Sequence, residues 1–153
     1  MPKVLIHRPC TLWPRIDKAI RRAVKAALTG VKGKTEVGIL LTEDAAMRRL
    51  NRHHRQRDQA TNVLSFAMEE GEKPLTGPPH RRLLGDVVLA YETVAREAQT
   101  GHLPLKHHAV HLVVHGVLHL LGYDHERSSD EARRQEKREI AILAKLGVAN
   151  PYQ

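Results

Sequence analysis

Aromatic residues are scarce in this chain: its 153 residues include one tryptophan, one phenylalanine and three tyrosines. A surface that grips single strands by stacking base after base needs more rings than that. Any recognition of nucleic acid must therefore lean on the phosphate backbone and weaken with salt. Cysteine is scarcer still. Cys10 alone excludes an intramolecular disulfide and points to a reducing compartment, most simply the cytoplasm; it is read as a small, partly buried residue with no role. No apolar run reaches the roughly 18 residues of a membrane span, so no membrane partner is expected. The opening MPKVLIHRPC has no apolar core of the kind a signal peptide carries. Acidic residues are in deficit too, with 17 Asp and Glu against 25 Lys and Arg, a formal charge of +8. A balance of that sign favours polyanions, RNA foremost, although charge alone does not separate an RNA binder from a protein kept soluble by its basic surface. Hydrophobic residues make up 41%, enough for one globular domain of this length with a core of its own.

Histidine is abundant where the rest is apolar. Residues 111–125 read HLVVHGVLHLLGYDH, with His111, His115 and His119 four apart and apolar residues almost all round them. On a helix, positions i and i+4 share a face one turn apart, and an apolar circumference marks a buried helix. Core histidines with satisfied ring nitrogens are the ordinary explanation for one such residue. Three at ligand spacing, with a further imidazole beyond a turn, point instead to a metal. His111 and His119 stand about 12 Å apart along the axis at ~1.5 Å per residue, too far to share an ion whose bonds are about 2.0–2.1 Å. The pair nearest the turn, His115 and His119, is joined by His125 folding back past Gly122, which ends the helix in the left-handed C′ position. Three imidazoles leave a fourth position for water, the pattern of a catalytic zinc site. One Zn²⁺ per chain is expected, though such a site also accepts other divalent ions. The residue after the first ligand is Gly116, where a zinc peptidase of the H-E-x-x-H type carries its glutamate base.

The string His115-Gly116-Val117-Leu118-His119-Leu120-Leu121-Gly122-Tyr123-Asp124-His125 resembles the signature of the YbeY family, bacterial rRNA maturation factors described as metal-dependent endoribonucleases. Leu50-Asn51-Arg52-His53-His54-Arg55 with Thr61-Asn62-Val63-Leu64-Ser65-Phe66, and Leu84-Gly85-Asp86-Val87-Val88, are similar to two further segments of that family. Two positions depart from it: His54 stands where members often have tyrosine, and Ala67 where they usually have proline. The resemblance implies His115, His119 and His125 as zinc ligands and Arg55 as the basic residue near the metal. It also implies small-subunit ribosomal RNA as substrate, with the small ribosomal subunit and assembly factors such as the Era GTPase as partners.

Taken in order, the chain predicts a strand at Val4–Ile6, then a helix with Pro14 in its first turn and an inner row of Ile16, Ile20, Val24 and Leu28. The outer side of that helix carries Lys18, Arg21, Arg22 and Lys25, a basic stripe suited to solvent or to RNA. A strand over Thr35–Leu41 leads to a helix capped by Thr42 and running to about His54. That helix delivers Arg52, His53, His54, Arg55 and Arg57, the densest basic cluster of the chain. A strand over Asn62–Met68, a loop over 69–83, a strand over Gly85–Tyr91 and a helix over Glu92–Thr100 follow. The histidine helix opens at Pro104, and a last helix begins at a capping box of Ser128 and Glu131 with Ile140, Leu143 and Leu146 on its apolar side. The order predicts a single domain over residues 1–153. Its class is α+β, an α/β sandwich with a small mixed four-stranded sheet, about five helices and the metal site on a buried helix.

The function expected is that of a metal-dependent endoribonuclease preferring single strands, active in ribosomal RNA maturation and late small-subunit assembly. Arg55 would stabilise charge gathering on the phosphoryl group. Asp124 would orient a ligand histidine or assist proton transfer, and Asp86 is a weaker candidate for a similar supporting role. Arg52, Arg57, Lys18, Arg22 and Lys25 would contact the RNA backbone. Two rivals stand beside this reading: a zinc-containing RNA-binding assembly factor without catalysis, and a zinc peptidase, which Gly116 and the positive charge disfavour.

Overall fold

The computed structural model describes residues 2–55, 61–68, 81–123 and 128–153, with the side chains of residues 54, 55 and 81 outside that description. Four strands, β1 (Lys3–His7), β2 (Lys34–Thr42), β3 (Val63–Ala67) and β4 (Arg81–Ala90), form one sheet in the order β1-β2-β4-β3. β1, β2 and β4 run parallel, and β3 pairs antiparallel with β4. Five helices accompany them among the described residues: α1 (Asp17–Ala27), α2 (Asp44–Arg55), α3 (Tyr91–Thr100), α4 (Leu105–Leu120) and α5 (Ser129–Lys145). The expected α+β architecture around a mixed four-stranded sheet is the observed one.

Strand alternation divides the interior. Val37, Ile39, Val87 and Leu89 point into the main core, where they meet α1, α4 and α5. On the other face Leu64, Val88 and Ala90 form a smaller core with Met47 of α2. The histidine helix α4 lies in the thick layer, touching α1, α3, α5, β3 and β4. It buries residues on every side but the histidine edge, where His111, His115 and His119 are half-buried, close to the largely buried helix that its sequence predicts.

Several element boundaries differ from those read off the sequence. Pro14 does not open α1, which begins three residues later at Asp17. The preceding turn is fixed by Trp13, whose buried indole N–H donates to the Thr42 carbonyl at 2.8 Å and whose ring meets Tyr91 edge-on. Thr42 is correspondingly the last residue of β2 and not a helix cap. At the start of α2 the capping is traded with α3: Asp44 N–H donates to Glu92, while Asp44 accepts from the Thr93 N–H and hydroxyl. β4 starts at Arg81, four residues earlier than expected, because Arg81 and Arg82 pair with Lys34 and Thr35 of β2. The expected loop over 69–83 thus loses its last three residues to the strand, and residues 69–80 lie outside the described ones.

The ends of α4 and α5 follow their sequence signals. Gly122 has φ 103°, its N–H bonds the His119 carbonyl, and Tyr123 N–H reaches back to Leu118. Gly147, with φ 76°, ends α5 in the same double-bonded way through Ala144 and Leu143. Both are Schellman closures that need a residue without a Cβ. Ser128, extended at φ −163°, caps α5 by accepting from Glu131 N–H at 3.1 Å.

Candidate metal centre

Four-residue spacing puts His111, His115 and His119 along one edge of α4, the edge that faces α5. His115 Nε2 and His119 Nε2 lie 3.1 Å apart. Two nitrogens on one tetrahedral zinc, each bonded at roughly 2.0–2.1 Å, would stand about 3.3–3.4 Å apart. The pair therefore suits a shared divalent ion almost without movement. His111 is turned elsewhere: its Nε2 lies 2.9 Å from Glu139 Oε1.

Glu139, on α5, is the residue that ties this row together. It is fully buried, and each oxygen is engaged. Oε1 receives His111 Nε2 and the hydroxyl of Tyr152, and Oε2 receives His115 Nδ1 at 3.0 Å. Burial by itself would push the carboxyl pKa up. The hydrogen bonds from His111, His115 and Tyr152 outweigh it and bring the value down to about 2, so this is a buried carboxylate kept ionised by its donors. The same contact acts on Tyr152 in reverse: burial and the facing carboxylate push the phenol pKa up. Gln135, one turn before Glu139, is also buried and places its amide 3.1 Å from His115 Nδ1. Ligand atoms of His111, His115 and Glu139 lie within 4.8 Å of one another, a group that could hold a metal ion. The 2.9 and 3.0 Å separations inside that group are hydrogen-bond lengths. The 3.1 Å between His115 Nε2 and His119 Nε2 is a hydrogen-bond length as well, and stands a few tenths of an ångström short of the nitrogen spacing on a shared zinc.

Gly116 has a structural reason. A Cβ there would come within 2.6 Å of Val87 Cγ1 and 3.1 Å of Ser65 Oγ, whose hydroxyl donates to the Gly116 carbonyl at 2.9 Å. The helix crosses the sheet at this point in near-backbone contact. A glutamate at 116, as a zinc peptidase requires, would be aimed into β4 and away from the histidines.

Of the residues expected at the site, the structure brings together His115 and His119. His125 and Asp124 lie outside the described residues, as does Arg57. Arg55 is the last residue of α2, with its side chain outside the description. The nitrogen of His115 opposite the candidate metal position is held by Glu139. Asp86 does not support the histidines. It pairs with Gly38 and Phe66 on the α2 face of the sheet, its side chain lies against Gly38, and α4 packs on the opposite face. Lys18, Arg22, Lys25 and Arg52 are all exposed. Glu139, Gln135 and Tyr152 were missed. The signal for the first two was present: 135, 139, 142 and 143 share one side of α5, the side that carries Ile142 and Leu143 into the core.

The family model for endoribonuclease YbeY matches residues 11–147. The chain belongs to the YbeY family. A Magnetococcus marinus protein named endoribonuclease YbeY is 56% identical over 76% of this chain and 82% of its own length. A Bradyrhizobium diazoefficiens protein of the same name is 44% identical over 99% of this chain and 85% of its own. The solution structure of a Thermotoga maritima protein shares the fold, with a TM-score of 0.53 at 22% identity over 95% of this chain and 91% of that one. The string from His115 to His125 and the flanking segments thus lie inside the matched region.

Proposed function

We propose that this protein is a metal-dependent endoribonuclease that prefers single strands and acts in maturation of small-subunit ribosomal RNA. One zinc ion would be held by His115, His119 and His125. The observation that carries the reading is the 3.1 Å approach of His115 Nε2 to His119 Nε2, backed by Glu139 on His115 Nδ1, in a chain of the YbeY family. When bound, the ion supplies Lewis-acid polarisation and a water whose pKa is lowered towards ~7.

The protein's own residues do the rest. Arg55 would supply the guanidinium that stabilises charge gathering on the phosphoryl oxygens. Asp124, beside the third ligand, accepts a proton or orients that ligand. Lys18, Arg22 and Lys25 on the outer face of α1, with Arg52 on α2, are exposed cations that track the RNA backbone, a task given to Arg57 as well. Era-type GTPases and the small ribosomal subunit are the partners this reading carries, on the strength of the family likeness.

The test pairs metal content by elemental analysis with cleavage of a ribosomal RNA fragment. Arg55→Ala should keep its metal and lose cleavage by about 10²-fold or more; His119→Ala should lose both. Wild-type cleavage by Arg55→Ala would remove that residue from the mechanism. Cleavage that persists in metal-free protein would remove the metal.

A further inference from the structure

We propose that Glu139 is the positioning residue of the metal centre: it fixes the proton of His115 on Nδ1 so that Nε2 presents its lone pair, with His111 and Tyr152 holding the carboxylate in place. The proposal rests on the metal-centre reading above and extends it to three residues outside the ligand set.

An ionised carboxylate can only accept hydrogen bonds. Glu139 Oε2 lies 3.0 Å from His115 Nδ1 while Oε1 faces His111 Nε2 and the Tyr152 hydroxyl; a carboxylate ringed by three potential donors assigns the His115 proton to Nδ1. A neutral imidazole has one N–H, and a proton on Nδ1 leaves Nε2 as the acceptor and ligating atom. That is the nitrogen turned toward His119. Gln135 agrees once its amide is oriented by its partner. Its oxygen has no hydrogen-bond partner among the described residues, while its nitrogen faces His115 Nδ1. A half-turn of the amide puts the oxygen opposite the N–H.

The carboxylate must itself be held. It is fully buried, and the groups packed around it orient it. Oε1 takes two donors, His111 Nε2 at 2.9 Å and Tyr152 Oη at 2.8 Å, and the Tyr152 ring meets His111 edge-on with centroids 5.7 Å apart. This assigns work to the first histidine of the row, which is too far from His119 to be a fellow ligand. It also ties the C-terminal Tyr152 to the centre through a single carboxylate. Metal-bound histidines commonly hand their second nitrogen to such a group, and loss of that group weakens metal binding about 10–100-fold.

Two measurements decide. In metal-free wild-type protein, long-range ¹⁵N–¹H correlation of the imidazoles should show His115 protonated at Nδ1. Zinc affinity, read by competition with a chromophoric chelator, should fall about 10–100-fold in Glu139→Gln and by a smaller factor in Tyr152→Phe and His111→Gln, with helix content by circular dichroism unchanged. An Nε2–H tautomer at His115, or wild-type affinity in folded Glu139→Gln, overturns the proposal. If Glu139→Gln does not fold, the wild-type tautomer and the other two variants carry the test, and wild-type affinity in both variants counts against it. Zinc binding that is absent from the wild type, or intact in His119→Ala, overturns the underlying metal reading instead; the His115 tautomer still judges the role of Glu139.

Discussion

Gly116 sits where the histidine helix presses hardest on the sheet, with Val87 and Ser65 beneath it. Alanine there gains about 1 kcal/mol of helix propensity over glycine and loses about 1–3 kcal/mol to overpacking. Gly116→Ala should therefore be destabilised by up to about 2 kcal/mol in urea titrations, and an increase in stability would show that the helix can lift at no cost. Asp86 gives a pH-dependent prediction on the other face. Burial against the sheet raises its carboxyl pKa above 3.8. A raised folded-state value means that the protonated form is favoured on folding, and that this contribution is lost as pH rises through the folded pKa. Asp86→Asn should thus be at least as stable as wild type at pH 7, and its relative advantage should shrink on acidification below the carboxylate range. A variant that is less stable at pH 7 than at pH 3, relative to wild type, would contradict this. The histidines were legible because their spacing repeats in an apolar context. Glu139 was not, because it sits in the charged run RRQEKREIAIL, where a glutamate reads as solvated. Only its register with Ile142 and Leu143 betrays its burial, and its partners lie on another element.

Helix ends set the positions of those side chains. α5 must hold Glu139 against α4, and its first turn is secured by Ser128. Ser128→Ala should cost about 1 kcal/mol, measured by denaturant unfolding; an unchanged midpoint would mean that the cap is replaced by other donors and acceptors. The glycines that close α4 and α5 were readable, since each follows an apolar periodic stretch and satisfies the last carbonyls in the left-handed conformation. Pro14, Thr42 and the start of β4 were not. Each depends on a long-range partner: the indole of Trp13 claims the Thr42 carbonyl, Asp44 trades its capping with Glu92 and Thr93, and Lys34 draws Arg81 into the sheet. Local propensity does not contain those contacts.

At the scale of the molecule, one sheet separates two helical layers. The thick layer of α1, α4 and α5 encloses the histidine row, while the thinner α2 layer carries Arg48, Arg49, Arg52 and His53 exposed. The order of strands and helices predicted this two-sided arrangement, because a buried α4 needs both a sheet and neighbouring helices to cover it. With a formal charge of +8 and few aromatic rings, affinity for single-stranded RNA should fall steeply with salt, with a slope near −0.7 per phosphate contacted. Removing Lys18 and Arg22 together should flatten a log–log salt plot by about 1.4; an unchanged slope would take α1 out of the RNA path. The central claim, that a metal held by the α4 histidines is required for RNA cleavage, is tested most directly by stripping the protein with a chelator and titrating zinc back while following cleavage. The account predicts no cleavage at zero zinc and recovery that levels off at one equivalent per chain in the wild type, with none in His115→Ala. Cleavage that is indifferent to stripping, or equal recovery in His115→Ala, would contradict it.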